Sequence, residues 1–218
     1  QEFTANVSHE LKTPLTSISG YAEIISENIA KPEDVPVFAS RIHKESVRLI
    51  NLINDIIKLS KLDGPAEMIF EETDLNDIAN DAVNSLHLAA EQKNVVVTVH
   101  GQKTVVKGDK GLLFELVYNL CDNAIRYNRE NGKVDVSVYS NENSAFIKVT
   151  DTGIGIHEDE QSRIFERFYR VDKSRSKETG GTGLGLSIVK HIVEQHKGSI
   201  LLKSSVNIGT EITVRIPF

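Results

Sequence analysis

Apolar residues recur at helical spacing from the start of the chain. Val7, Leu11, Leu15, Ile18, Ala22 and Ile25 lie three or four apart and describe one stripe of a helix. His9 falls roughly 200° from both Val7 and Leu11, on the opposite face, with Asn6 and Thr13 one turn to either side and Glu10 beside it. The histidine is therefore expected to be exposed. Pro14 cannot donate to the Glu10 carbonyl, so the helix should bend or loosen there. After Lys31, Pro32 and Pro36 a second periodic run begins, with Phe38, Ile42, Leu49, Leu52, Ile56 and Leu59. The two runs predict an antiparallel helical hairpin. Ile50, Ile53 and Ile57 widen the second helix's apolar face beyond what one partner helix covers. A dimeric four-helix bundle would cover it, and so would packing on the rest of the same chain.

Helical periodicity stops between Lys61 and Pro65, which places a hinge there and divides the chain into units 1–63 and 64–218. Beyond it the periods alternate. A short strand is expected over Met68 to Glu71, then a helix capped by Asp74 and carrying Leu75, Ile78, Ala82, Val83 and Leu86. Strands follow at Val95 to Val99 and Thr104 to Val106, then a helix from Lys110 to Tyr127. Val134, Val136 and Val138 alternate as a half-buried strand with Ala145 to Thr150 as neighbour. A helix is expected through Ile164, Phe165 and Phe168, another from Gly183 to His196, and a closing hairpin of Ser199 to Ser204 with Thr210 to Ile216. This is a mixed sheet with helices on one face, so the fold class is α+β.

Composition narrows the chemistry. A net charge of −6 disfavours nucleic acid and other acidic partners, since phosphate backbones demand clustered cations. With one cysteine, Cys121, there is no internal disulfide or multi-cysteine metal site, which fits a reducing compartment. No apolar run approaches the roughly 20 residues that span a bilayer. The chain opens at Gln1 rather than a methionine and is expected to be the cytoplasmic piece of a longer, membrane-anchored protein, without membrane contact of its own.

Three further stretches carry chemistry. Asn119, Asn123 and Arg126 share a helix face and suit a polyphosphate with its magnesium, a hard cation that takes oxygen ligands. Asp151, Gly153 and Gly155 in DTGIGI follow a strand, where a carboxylate can accept from the exocyclic amine of adenine. Gly180, Gly181, Gly183 and Gly185 precede an apolar helix and present free N–H groups to an anion. The charged run from Val171 to Thr179 reads as a mobile lid, made cationic with its surroundings by Arg167, Arg170, Lys173, Arg175 and Lys177. Each of these has a bland alternative: a solvated polar helix face, an Asp-Gly turn or a basic loop.

Taken in order, HELKTP at His9 to Pro14, NLCDNAIRY at Asn119 to Tyr127, DTGIGI at Asp151 to Ile156, ERFYRVD at Glu166 to Asp172 and GTGLGL at Gly181 to Leu186 resemble the phosphoacceptor, N, G1, F and G2 boxes of sensor histidine kinases from two-component systems. The resemblance covers essentially the whole chain. It implies a dimerising helical hairpin joined to an α/β sandwich of the Bergerat, or GHKL, ATP-binding type, acting as a homodimer with a response regulator as partner. It further implies ATP and Mg2+ as cofactors and a protein histidine autokinase, with a response-regulator phosphatase alongside. By the same match, His9 would be phosphorylated, Glu10 would polarise it or accept its proton, Thr13 would orient water for the phosphatase reaction and Arg170 would approach the γ-phosphate or the histidine during transfer. Asn123 and Asn119 would hold the metal and phosphates, and Asp151 would read adenine with Gly153 and Gly155 behind it. Arg126 stands where the family often has lysine, and Tyr127 would help enclose the nucleotide. Gly181, Thr182, Gly183, Leu184 and Gly185 would close on the phosphates. A gyrase-like ATPase clamp and a non-catalytic scaffold are the rival readings.

Overall fold

A computed structural model describes residues 2–64, 69–171 and 181–218. Two long helices, α1 (Glu2–Ser26) and α2 (Val35–Asp63), open the chain. α1 runs through Pro14 without a break, and the Thr13 hydroxyl donates to the His9 carbonyl at 3.2 Å. The helices are antiparallel: Tyr21 stacks on Phe38 with ring centroids 5.5 Å apart, and Arg41 donates to the Tyr21 hydroxyl. At the other end Arg48 of α2 lies 3.7 Å from Glu10 of α1.

The remaining elements are β1 (Glu71–Asp74), α3 (Leu75–Ser85), α4 (His87–Gln92), β2 (Val96–Gly101), β3 (Val105–Gly108), α5 (Lys110–Arg126), β4 (Lys133–Ser140), β5 (Ser144–Asp151), α6 (Glu158–Gln161), α7 (Gly185–Gln195), β6 (Ser199–Ser205) and β7 (Gly209–Pro217). Five strands form one sheet in the order β2-β4-β5-β7-β6, antiparallel except where β2 pairs with β4. β1 and β3 form a separate two-stranded ladder.

The alternation read from the valines places one sheet face in the core. Val134, Val136, Val138, Ile147, Val149, Val214 and Ile216 are buried against Leu113, Leu116, Val117 and Leu120 of α5 and Ile188, Val189 and Ile192 of α7. Side chains of the other face, such as Asp135, Lys148 and Glu211, pair among themselves and with His100 and Lys203. Asp74 caps α3 by accepting from the Asn76 N–H, and Asp109 caps α5 in the same way from Leu112. Cys121 is buried on α5, and burial pushes its thiol up to about 12, so it is a packing residue and not a reactive one.

Two differences from the sequence reading are physical. Ile164, Phe165 and Phe168 lie in successive turns, not in a helix. Phe168 has φ +64°, and its N–H donates to the Gly183 carbonyl at 2.8 Å, so docking against the glycine loop wins over helical spacing. Leu52, Leu59 and Leu62 of α2 are buried in the same core as the sheet, so part of the hairpin's apolar face is covered by its own chain. Leu15, Val47, Ile50, Ile53 and Ile57 stay exposed, Leu15 at 58% and Ile50 at 56%. Met68, the expected lid from residue 172 onward and Gly180 lie outside the described residues.

Candidate active site

The elements around α5 enclose a cavity of about 870 Å3. α5 contributes Glu115, Asn119, Asn123 and Arg126 at steps of four, four and three, with Tyr127 just beyond its end. The side-chain amide of Asn119 donates to Glu115 Oε1 at 3.0 Å and to the Glu115 carbonyl, which leaves its own Oδ1 as an acceptor. That oxygen would lie 2.9 Å from a Cβ on Gly185, so a larger residue at the start of α7 would push the Asn119 side chain aside. Arg126 pairs with Asp122 at 2.8 Å.

Asp151, the last residue of β5, lines the cavity's opposite part with Ile154, Gly155, Ile164 and Ile212. Its Oδ1 accepts from the N–H groups of Gly153 at 2.7 Å and Thr210 at 3.3 Å. No described group bonds to its second oxygen. Burial pushes the carboxyl above the usual aspartate range, against the pull of those two N–H groups. Gly155 has φ +68°, and a Cβ there would meet the Ser205 carbonyl at 2.0 Å, so this turn requires glycine.

The glycine loop closes the third side. Gly181, Thr182, Gly183 and Gly185 line the cavity and lead into α7, whose N-terminal end carries the free N–H groups expected of an anion site. Two expected contributors stand back from the wall. Gly153 serves Asp151 from behind, and Leu184 is fully buried.

α2 supplies the fourth side through Asn51, Asn54, Asp55 and Lys58, at steps of three, one and three. The sequence reading assigned these residues no role. Their common helix face was visible, but so is the polar face of any amphipathic helix. Lys58 pairs with Glu115 at 2.8 Å, and Asp55 Oδ2 accepts from the Thr182 hydroxyl at 2.7 Å. Burial raises the Asp55 carboxyl, with the Thr182 bond and Lys58 working the other way.

A second cavity, about 1050 Å3, lies on the other side of Arg170 and is lined by Asn6, His9, Glu10 and Thr13. His9 is exposed there, as the helical phase requires. Arg170 lines both cavities. Its Nη2 donates to Glu10 Oε2 at 2.9 Å and to the Thr182 carbonyl at 2.7 Å. Only 6% of the side chain is exposed, and its Nε–H has no hydrogen-bond partner among the described residues. An orphaned buried guanidinium N–H between two cavities suits an arriving anion.

Two family models match the chain. Residues 1–65 match the His Kinase A (phospho-acceptor) domain, and residues 108–218 match the histidine kinase-, DNA gyrase B- and HSP90-like ATPase family. The whole chain is 42% identical over 219 residues to the sensor-like histidine kinase SenX3 of Mycolicibacterium smegmatis, and it spans 57% of that protein's length. Among solved structures, the Acinetobacter baumannii histidine kinase AdeS aligns with a TM-score of 0.78 at 25% identity, over 96% of this chain and 97% of that one. Histidine kinase ThkA, solved in complex with the response regulator protein TrrA, shares the fold at a TM-score of 0.80 and 24% identity, over 100% of this chain and 61% of that one. No described helix is long and apolar enough to cross a membrane. With a phosphoacceptor domain over the helical hairpin and an ATPase domain over the sheet, the chain belongs to the histidine kinase family.

Proposed function

We propose that this chain is the catalytic core of an ATP-dependent protein histidine autokinase in two-component signalling, which phosphorylates His9 and passes the phosphoryl group to an aspartate of a response regulator. The observation that carries the reading is the position of Arg170, a buried cation shared by the cavity of His9 and the cavity of the glycine loop. The two units, 1–63 and 64–218, supply the two halves of the reaction.

In this reading ATP occupies the cavity around α5. Asp151 accepts from the adenine amine through its open oxygen, and Tyr127 flanks the nucleotide. Arg126 and the N–H groups from Gly181 to Gly185 hold the phosphates. The amide oxygens of Asn123 and Asn119 fit Mg2+, a hard cation for which neutral carbonyls suffice beside a triphosphate. When bound, the ion neutralises polyphosphate charge. A neutral imidazole nitrogen of His9 attacks the γ-phosphorus, the N–P bond forms as the P–O bond to ADP breaks, and Glu10 stabilises the imidazolium character that develops. Arg170 meets the γ-phosphoryl charge in transit. Incubation with γ-labelled ATP and magnesium tests this directly. A protein-bound label that resists base and is lost in acid is the expected result, whereas ATP turnover without label would identify a plain ATPase.

Two parts of the reading concern partners. A second copy of the chain covers Leu15, Val47, Ile50, Ile53 and Ile57, which form an exposed apolar face on the hairpin. A response regulator docks near His9; ThkA, which shares the fold, was itself solved in complex with a response regulator. Thr13, one turn from His9 and within the same cavity, orients water for dephosphorylating that regulator. Thr13→Ala should lower phosphatase activity at least about tenfold while autophosphorylation stays within about threefold. Equal rates of regulator dephosphorylation in the two forms would remove that role from Thr13.

A further inference from the structure

Four groups form one continuous polar strap between the hairpin and the glycine loop. Glu10 of α1 accepts from Arg170, which also donates to the Thr182 carbonyl. The Thr182 hydroxyl then donates to Asp55 of α2 at 2.7 Å and accepts at 3.3 Å from the N–H of Leu184, the residue just before α7. Arg167 and His191 reinforce the closed arrangement from outside by meeting Asp63 at 2.9 and 3.1 Å. In this arrangement the acid beside His9 is already engaged by a guanidinium, and the loop expected to hold the phosphates is tied to a carboxylate.

We infer that Asp55 is a positioning residue that couples the nucleotide's terminal phosphate to the release of Glu10. This rests on the cavity around α5 being the ATP site. Asp55 lines that cavity and holds the Thr182 hydroxyl of the glycine loop. A third phosphate placed between the glycine loop and α2 brings anionic oxygens against the Asp55 carboxylate and offers the orphaned Arg170 Nε–H a better acceptor. Both effects act in one direction. Asp55 leaves Thr182, Arg170 turns from Glu10 to phosphate, and the hairpin is freed to present His9. A nucleoside diphosphate lacks the group that repels Asp55 and leaves the strap closed. Lys58 does not cancel the repulsion, because Glu115 holds its ammonium at 2.8 Å.

Equilibrium binding of magnesium ADP and of a non-hydrolysable magnesium ATP analogue to the parent and to Asp55→Asn tests the coupling. Asparagine keeps the shape and an acceptor for Thr182 but removes the charge, on a helix face where the fold does not depend on it. The expected result is an ATP analogue bound about tenfold more tightly by Asp55→Asn, with ADP changed by less than about twofold. An unchanged ratio of the two affinities would overturn the coupling and leave the ATP site standing. Failure of the parent to bind either nucleotide would overturn the site reading itself. Asp55→Ala, which removes the strap altogether, should raise the initial rate of His9 labelling several-fold, and a slower rate would show that Asp55 supports the reactive arrangement instead.

Discussion

His9→Gln abolishes labelling of the protein by γ-labelled ATP while nucleotide affinity stays within about twofold of the parent. Glutamine approximates the length and polarity of the imidazole but offers no nitrogen lone pair able to attack phosphorus, so the loss is complete and not graded. Two structural facts separate this outcome from trivial ones. His9 is exposed on α1 and its side chain bonds to none of the described residues, so the exchange should change stability by no more than about 0.5 kcal/mol. It also lines the cavity beside Glu10 and Thr13 and is absent from the walls of the cavity around α5, so ATP still binds. Residual acid-labile label in the variant would point to another histidine. His43 on the hairpin would be the first to replace.

Asp151→Asn should weaken ATP binding by about 100-fold, with the fold intact. The asparagine oxygen can still accept from Gly153 and Thr210, so the turn after β5 keeps its support. The amide nitrogen then faces the cavity, where a donor would meet the adenine amine, itself a donor. The pH dependence follows from burial, which raises the folded pKa of Asp151. The folded chain therefore holds this proton more tightly than the unfolded chain does, so protonating Asp151 favours folding. The same proton occupies the acceptor. As pH falls through the raised pKa, nucleotide affinity should fall while this residue's share of stability improves, and Asp151→Asn should melt no lower than the parent at neutral pH. A thermal melt and a binding isotherm across acidic pH read the two trends, and parallel losses would show that Asp151 is structural.

Much of the architecture was legible because burial enforces period. The valines of β4 alternate since one sheet face is covered and the other is wet, and α5 shows its stripe for the same reason. The expected helix through Ile164 and Phe168 failed because a tertiary bond, from the Phe168 N–H to Gly183, competes with the local pattern. The α5 face, Asp151 and the glycine loop were recognisable from residue type and order. Asp55 and its neighbours on α2 were not, since nothing in a polar helix face says that another unit will dock on it. The link from Glu10 through Arg170 to Thr182 was equally hidden, because it joins residues 160 and 12 positions apart.

The inert thiol of Cys121 makes the chain a ready substrate for site-specific labelling. A maleimide dye or spin label reacts with thiolates, and the only native sulfhydryl is both buried and held in its protonated form at neutral pH. A cysteine placed at an exposed position such as Ile29 or Leu201 would thus be modified selectively, without first stripping the native one out of the core. Inter-unit distances could then be followed by resonance energy transfer or electron spin resonance in a protein whose interior packing is untouched.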